Sequence, residues 1–351
     1  MKRFMFMAVC VALIAAFISG CGSSTPSSSA PATTKGKAGS KYTNLGPKAQ
    51  PHLTIVSASM GSGWYPVSVM FSNFWMDAVP GLNVMVQEGG AVANVKTVNK
   101  GVDGNIGWCY TTDVSDAFKG AAAFGGEAYK DAMPIASTYP VWLNIITMAD
   151  NKKIFKVEDL VGAKVHVGTV NSGSELATKR LLEAHGITFD DIRAAGGRIE
   201  YGTHSDAAQM LKDGVIDVMI GSGSPEVPAA LEIEAQNNVR LIPVEQDKLE
   251  KVVKLGYNYL INRPIPAKTF KGQDKDVPTL SYLSVIIVNR KLSDDLAYML
   301  TKEIWDNIDT IRKEQPVRGN MMDISTALDG IDLATLHPGA AKYYKEVGKL
   351  K

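Results

Sequence analysis

The sequence has almost no excess of charge of either sign, and it has few cysteines and histidines. Its 351 residues carry 37 basic and 36 acidic side chains. Proteins that bind nucleic acid normally carry a clear basic excess, so we expect no nucleic-acid partner. The chain is 45% hydrophobic, which is a globular composition, and it is long enough for more than one core.

The sequence also lacks the short motifs that carry most enzyme chemistry. Its five histidines show no metal-ligand spacing: His52, His166, His185, His204 and His337. No Gly-x-Ser-x-Gly segment occurs, and the serines of "GSGSP" (221–225) fit helix capping better than nucleophilic attack. Asp113 and Asp116 could act as an acid and a base, although charges at a helix start are the favoured interpretation. We expect a protein that is not an enzyme and binds no cofactor or metal.

The start of the chain carries the most specific local pattern. Two basic residues precede a short apolar run, Val9–Phe17, and Ile18-Ser19-Gly20-Cys21 matches a lipobox. This order predicts a lipoprotein signal peptide over 1–20 and lipid on Cys21. An N-terminal anchor helix is the alternative, but the apolar run is short for a membrane span.

Residues 21–50 are rich in Ser, Thr, Pro, Ala and Gly, so they cannot bury a core and are expected to form a flexible tether. The protein would lie at the periplasmic or extracellular face, held by lipid on Cys21 without spanning the membrane. Because Cys10 leaves with the signal peptide, Cys109 stays alone and no intramolecular disulfide is expected. Cys109 could be a nucleophile, but a small core residue is the favoured interpretation.

A glycine- and serine-rich turn at 169–174 follows the apolar strand Lys164–Val167. It opens a helix whose apolar positions Ala177, Leu181 and Ala184 recur at helical spacing, and Gly186 ends that helix. Such a turn directs free N–H groups and the positive end of a helix dipole at a ligand. No Gly-Lys-Ser/Thr follows, so the pattern does not indicate a nucleotide-binding loop.

The strand–turn–helix pattern occurs in two similar units. "VNKGVDGNIGW" (98–108) and "LKDGVIDVMIG" (211–221) both run from a helix end through a glycine into a strand ending in Ile-Gly. The alternation predicts largely parallel sheets, with ligands bound beyond the carboxyl ends of the strands. Two apolar segments, 137–148 and 282–290, are expected to cross between the units as a hinge. Convergent α/β patterning is the alternative explanation of the likeness.

Small polar and aromatic residues occupy the predicted turns. We expect Trp64 and Tyr65 to wall a less polar part of a ligand, and Asn94 and the serines to bond its polar ends. For the aromatic pair the alternative is a place in the core, and for the serines it is helix capping, which is compatible with binding. The predicted ligand-binding residues are Ser62, Trp64, Tyr65, Gly89, Gly90, Asn94, Tyr110, Ser172, Ser174, Ser222 and Ser224.

Several segments in order resemble the TAXI family of solute-binding proteins of TRAP transporters. The similar segments are "GSGWYP" (61–66), "EGGAVANVKTVNKG" (88–101), "NIGWCYTTDVSDAFKG" (105–120), "VEDLVGAKVHVGTVNSGSELATKRLLEAHGI" (157–187), "LKDGVIDVMIGSGSP" (211–225) and "LHPGAAKYYKEVG" (336–348). Trp64 departs from the tyrosine pair usual in the family, Ala91 from a common serine, and "CYTT" (109–112) from the usual Gln-Ser. These departures lie at the expected pocket, so the family's substrates are not carried over one by one.

The resemblance implies an α/β fold of the type II periplasmic-binding-protein kind, in which a two-strand hinge joins two lobes around a ligand cleft. Lobe I would comprise 51–140 and 284–351, and lobe II 141–283. Such a protein captures a small carboxylate, glutamate-like or a dicarboxylate, and delivers it to TRAP membrane subunits. The turn at 171–175 would hold a carboxylate through N–H groups and serine hydroxyls, with no arginine required. A ligand-sensing lipoprotein and an enzyme on the same scaffold are the alternatives.

Overall fold

The computed structural model describes residues 52–58 and 62–351. The predicted signal peptide 1–20, the lipidated Cys21 and the tether 21–50 lie outside the described residues. Within the described ranges, no helix combines the length and the apolar character needed to cross a membrane.

Strands and helices alternate along the described chain, as the sequence predicts. The strands are β1 (His52–Val56), β2 (Asn83–Gln87), β3 (Ile106–Tyr110), β4 (Ala132–Met148), β5 (Lys164–His166), β6 (Arg198–Glu200), β7 (Val218–Gly223), β8 (Val239–Leu241) and β9 (Ser281–Asn289). The α-helices are α1 (Trp64–Ala78), α2 (Ala91–Lys100), α3 (Thr111–Lys119), α4 (Gly173–His185), α5 (Phe189–Ala194), α6 (His204–Lys212), α7 (Pro228–Glu234), α8 (Gln246–Lys254), α9 (Asp294–Asp306), α10 (Ile308–Glu314), α11 (Pro316–Gly319) and α12 (Pro338–Glu346).

The strands form one mixed sheet in the order β2-β1-β3-β9-β4-β7-β5-β6, and β8 pairs with β4 outside this path. β1 is parallel to β2 and β3, and β5 is parallel to β6 and β7. β9 and β4 run antiparallel to their neighbours. The α/β fold class is therefore confirmed. The expectation of largely parallel pairing holds for the two outer groups and is wrong for the centre of the sheet.

The long strand β4 connects the two outer groups. Ala132–Trp142 pairs with β9, and Trp142–Ile146 pairs with β7. Nearly every residue of β4 and β9 is buried on both faces, because helices cover both sides of the sheet at its centre. The predicted crossing segments coincide with these two strands, so the turns of both outer groups are held relative to one pair of central strands.

Helix starts follow capping chemistry, with one correction to the sequence reading. α4 begins after Ser172, whose hydroxyl accepts the N–H of Glu175, and it ends at Gly186 in the left-handed conformation with φ 72°. The segment "HSDAAQMLKDG" (204–214) predicts a helix capped by Ser205, and that prediction is wrong. Thr203 caps α6 by accepting the N–H of Asp206 at 3.1 Å, because a carboxylate three residues on completes a capping box.

Candidate functional site

A cleft of about 930 Å³ lies beyond the carboxyl ends of the parallel strands. One part of its lining follows β1, β2 and β3, and another part follows β5, β6 and β7. Tyr139 and Val141 of β4, together with Arg318 of α11, also line it. Clefts of several hundred cubic ångströms that converge a few polar groups are typical ligand sites, and this one has the position expected for an open α/β sheet.

The structure brings most of the predicted ligand-binding residues to this cleft. Those that line it are Ser62, Trp64, Gly89, Gly90, Tyr110, Ser172, Ser174, Ser222 and Ser224. Tyr65 and Asn94 are not among the lining residues. Tyr65 lies half-buried in the first turn of α1.

The aromatic side of the cleft belongs both to the lining and to the core. The Trp64 ring centroid lies 5.8 Å from that of Trp108 and 4.8 Å from that of Tyr110. Trp64 is only 7% exposed, and its indole Nε1 donates to Ser284 Oγ of β9 at 2.9 Å. Because the indole donor is already satisfied, Trp64 can offer a ligand only the apolar edge of its ring.

Asn94 holds the glycine turn in place instead of facing the cleft. Its side-chain oxygen accepts the Gly90 N–H at 3.0 Å, and its amide donates to the carbonyls of Ser57 at 2.6 Å and Trp108 at 2.8 Å. These contacts use both of its N–H donors, and the side chain is 1% exposed. A Cβ on Gly89 would meet Asn94 Oδ1 at 2.1 Å, so glycine is required there. The geometry does not support a direct bond from Asn94 to a ligand.

The N-terminus of α4 lines the cleft with two serines and two free amides. Ser172 Oγ lies 3.1 Å from Ser174 Oγ, and no acceptor within the described ranges bonds the N–H groups of Gly173 and Ser174. The Glu175 carboxylate, also in the first turn, already accepts the Asn171 N–H and pairs with Lys179 Nζ at 2.7 Å. This internal carboxylate partly offsets the helix dipole that the sequence analysis assigned to a ligand.

The end of β7 and the turn after it supply the remaining predicted serines. The Ser222 hydroxyl bonds the Tyr282 hydroxyl of β9, and Ser224 is buried to 7% exposure at the cleft. Tyr110, which also contacts the cleft, packs edge-on against Tyr282 with centroids 4.7 Å apart. A Cβ on Gly173 would meet the Tyr110 ring at 2.6 Å, so the α4 turn and β3 approach each other closely here.

Charged residues in the cleft were missed by the sequence analysis. They are Lys96, Glu226, Glu232 and Arg318. Lys96 Nζ donates to the Ala123 carbonyl at 2.9 Å. Burial and the neighbouring His166 lower the pKa of His204, which also lines the cleft, to about 4, so His204 is neutral at physiological pH. No local motif marks these residues, because folding alone brings Arg318 next to segments more than two hundred residues earlier in the chain.

The two acids and the cysteine considered for enzyme chemistry lie outside the cleft lining. Burial raises the pKa of Asp113 to about 7, while its contact with the Tyr110 N–H lowers it, and this carboxylate caps the start of α3. Asp116 forms a buried ion pair with Arg180. Cys109 is fully buried, and burial raises the pKa of its thiol. Asp113 lies in the first turn of α3 and Cys109 lies in the core, as favoured from the sequence, whereas Asp116 lies beyond the first turn, so its interpretation as a helix-start charge is wrong.

One group of possible metal ligands lies away from the cleft. Ligand atoms of Glu158, His185 and Glu245 come within 4.8 Å of one another. His185 Nδ1 and Glu158 Oε1 are 2.9 Å apart and already form a hydrogen bond at the end of α4. Sequence spacing could not have found this group, since its members come from three separate elements.

The described fold places a two-sided ligand cleft beside the central strand pair of an α/β sheet. The chain is similar to a solved protein of Xanthomonas citri bound to ATP, with 11% identity over 86% of this chain and 100% of that one and a TM-score of 0.50. It is also similar to the periplasmic aliphatic sulphonate binding protein of Escherichia coli, with 15% identity, coverage of 86% and 94%, and a TM-score of 0.45. A third similar structure is a putative L-cystine ABC transporter protein of Listeria monocytogenes, with 12% identity, coverage of 78% and 98%, and a TM-score of 0.47.

The sequence model of the NMT1-like family matches residues 55–348. The chain belongs to the NMT1-like family. The match covers nearly all described residues, including every residue that lines the cleft.

Proposed function

We propose that this protein is an extracytoplasmic solute receptor of the TAXI type, which captures a small carboxylate and delivers it to the membrane subunits of a TRAP transporter. The observation that carries the proposal is the cleft, whose walls come from the turns after β1–β3 and from those after β5–β7. Two such walls can surround a small solute and remove it from water, which suits the capture of a solute.

The chemistry of the lining supports binding more than turnover. Serine hydroxyls, free helix-start amides and aromatic edges converge in the cleft, while the buried acids Asp113 and Asp116 are engaged elsewhere. In this proposal the lobes are 51–140 with 284–351 and 141–283, and they close about β4 and β9. Lipid on Cys21 would keep the receptor at the periplasmic or extracellular face of a membrane.

A ligand screen by thermal unfolding tests the proposal. The purified protein is heated with glutamate, glutamine, succinate, malate, fumarate and other small carboxylates, each at several concentrations. A ligand present at 100 times its dissociation constant adds about 2.7 kcal/mol to the free energy of unfolding. Stabilisation by one class of carboxylate, without chemical change of the compound on long incubation, is the expected result. Consumption of the compound would favour the enzyme alternative, and absence of any stabilisation would contradict carboxylate capture.

A further inference from the structure

Arg318 places a cation in the cleft without a carboxylate partner. It lies on the short helix α11 and lines the cleft beside Gly63 and Tyr139. Among residues 52–58 and 62–351, no carboxylate comes within 4.0 Å of its guanidinium, and its buried Nε has no hydrogen-bond acceptor. A buried donor without an acceptor is destabilising, so such groups usually have a specific partner.

The structure around Arg318 fixes the guanidinium at the cleft. A Cβ on Gly63 would meet Arg318 Nε at 2.3 Å, so the guanidinium lies directly against the backbone at the start of α1. Gly319 packs so tightly that a Cβ would meet Arg312 Cα at 2.7 Å, which limits movement of α11. Burial raises the pKa of Tyr139, whereas the positive charge of Arg318 and a hydrogen bond from Arg318 to the Tyr139 hydroxyl oppose that rise.

A second polar group without a partner lies beside this cation. Ser62 Oγ is buried, lines the cleft and has no hydrogen-bond partner within the described ranges. Ser62 directly precedes Gly63, against which Arg318 packs. A hydroxyl without a partner and a guanidinium whose Nε lacks an acceptor are complementary to one anionic group, which a planar carboxylate satisfies well.

The opposite wall carries negative charge. Glu226 is half-buried after β7 and Glu232 lies on α7, and both line the cleft. No described residue forms an ion pair or a side-chain hydrogen bond with either carboxylate. A second anionic group of a solute would meet these like charges, whereas an ammonium or neutral polar group would be favoured there.

From this arrangement we infer that Arg318, with Ser62, binds the carboxylate of the solute, and that the wall bearing Glu226 selects a solute with a cationic or neutral far end over a dicarboxylate. The inference rests on the proposed function and narrows its substrate class to compounds with one carboxylate, such as neutral amino acids. It also replaces the sequence-based expectation that the α4 turn binds the carboxylate without an arginine, since Glu175 already occupies that turn.

Calorimetric titration of four proteins tests the inference: wild type, Arg318→Gln, Arg318→Lys and Arg193→Gln. The last is the matched control, since Arg193 is exposed, pairs with Asp190 and lies on α5 outside the cleft lining. The probes are neutral L-amino acids, their α-carboxamides, glutamate, succinate and malate. Thermal unfolding of each variant shows whether it folds.

We expect the wild type to bind a neutral amino acid more tightly than glutamate or a dicarboxylate. Arg318→Gln should weaken that binding about tenfold to hundredfold, Arg318→Lys less, and Arg193→Gln not at all. The α-carboxamide should bind the wild type weakly and lose little further affinity in Arg318→Gln, because the two changes remove the same interaction.

Three results would overturn the inference in different ways. Unchanged amino-acid binding by a folded Arg318→Gln protein would show that Arg318 does not bind the carboxylate. Preference of the wild type for succinate or malate would show that the wall bearing Glu226 does not select against a second carboxylate. The proposed function stands in both cases. If no carboxylate binds the wild type, the proposed function itself fails and the inference fails with it. If Arg318→Gln does not fold, the comparison of Arg318→Lys with the carboxamide decides between these results.

Discussion

Breaking the ion pair between Asp116 of α3 and Arg180 of α4 should destabilise the protein far more than breaking a surface pair. The Arg180 and Asp116 side chains are 6% and 11% exposed. Arg180 also donates to the Tyr259 hydroxyl at 3.2 Å and lies over the Tyr257 ring, 4.6 Å from its centroid. Asp116 belongs to predicted lobe I and Arg180 to predicted lobe II, so this buried contact connects the two.

Asp116→Ala leaves the guanidinium buried without its counter-charge, which typically costs about 3–5 kcal/mol. For a chain of this size we expect the melting temperature to fall on the order of 10 °C. The assay is urea unfolding followed by circular dichroism at pH 7, on Asp116→Ala, Arg180→Ala and the double variant. The exposed pair of Arg193 and Asp190, at 2.8 Å, is the matched control, and its removal should change stability by about 0.5 kcal/mol or less.

The double variant separates the ion pair from the loss of packing. Because both single changes break the same contact, the double variant should lose clearly less stability than the sum of the two. We also expect Asp116→Ala to weaken solute binding although Asp116 does not line the cleft, since the contact would hold the predicted lobes together. Additive losses, or a single loss below about 1 kcal/mol, would refute the role given to this pair.

Three further outcomes can be measured. Burial raises the pKa of Asp113 from 3.8 to about 7, so between about pH 4 and pH 7 the native state binds more protons than the unfolded state. The free energy of unfolding should therefore fall as the pH rises through this range, and Asp113→Asn should make that fall smaller in unfolding curves measured at several pH values. Ser174→Ala should weaken solute binding about tenfold, with stability measured alongside, and unchanged affinity would remove this serine from the site. Cys21→Ala should release the protein from membranes, whereas mass spectrometry showing an unlipidated mature N-terminus would refute the anchor.

Local chemistry made much of the fold predictable, and long-range packing decided the rest. The turn and helix around Ser172 follow from capping and apolar spacing, which act within a few residues. The cap of α6 was predicted at the wrong residue because Ser205 and Thr203 both have side chains that can cap a helix. Thr203 is the cap because its hydroxyl also bonds the carboxylate of Asp206. Asn94 was read as a ligand contact because its bonds to Ser57 and Trp108 form only when β1 and β3 pair.

The parts of the candidate site that follow the ends of strands were predictable from the sequence. The part that depends on contacts between segments distant in the chain was not. Glycine and serine turns after strands mark the cleft in any open α/β sheet, so the α4 and β7 turns were found. Arg318 lies in a short helix after the last strand, and no periodicity or motif links it to Gly63. Only the packed structure shows that the cation is half-buried in the cleft and that no carboxylate of the described residues pairs with it.

The place of β9 between β3 and β4 has a consequence for how the chain folds. Trp108 of β3 pairs with Ile286 of β9, and about half of the chain separates them. Until residues 281–289 arrive, β1–β3 present an open, apolar strand edge, which is a template for association with other chains. Pairings between such distant segments form slowly, and partly folded forms with open edges aggregate. A fragment ending before β9 should therefore aggregate instead of folding, so the C-terminal segment completes the N-terminal half of the sheet.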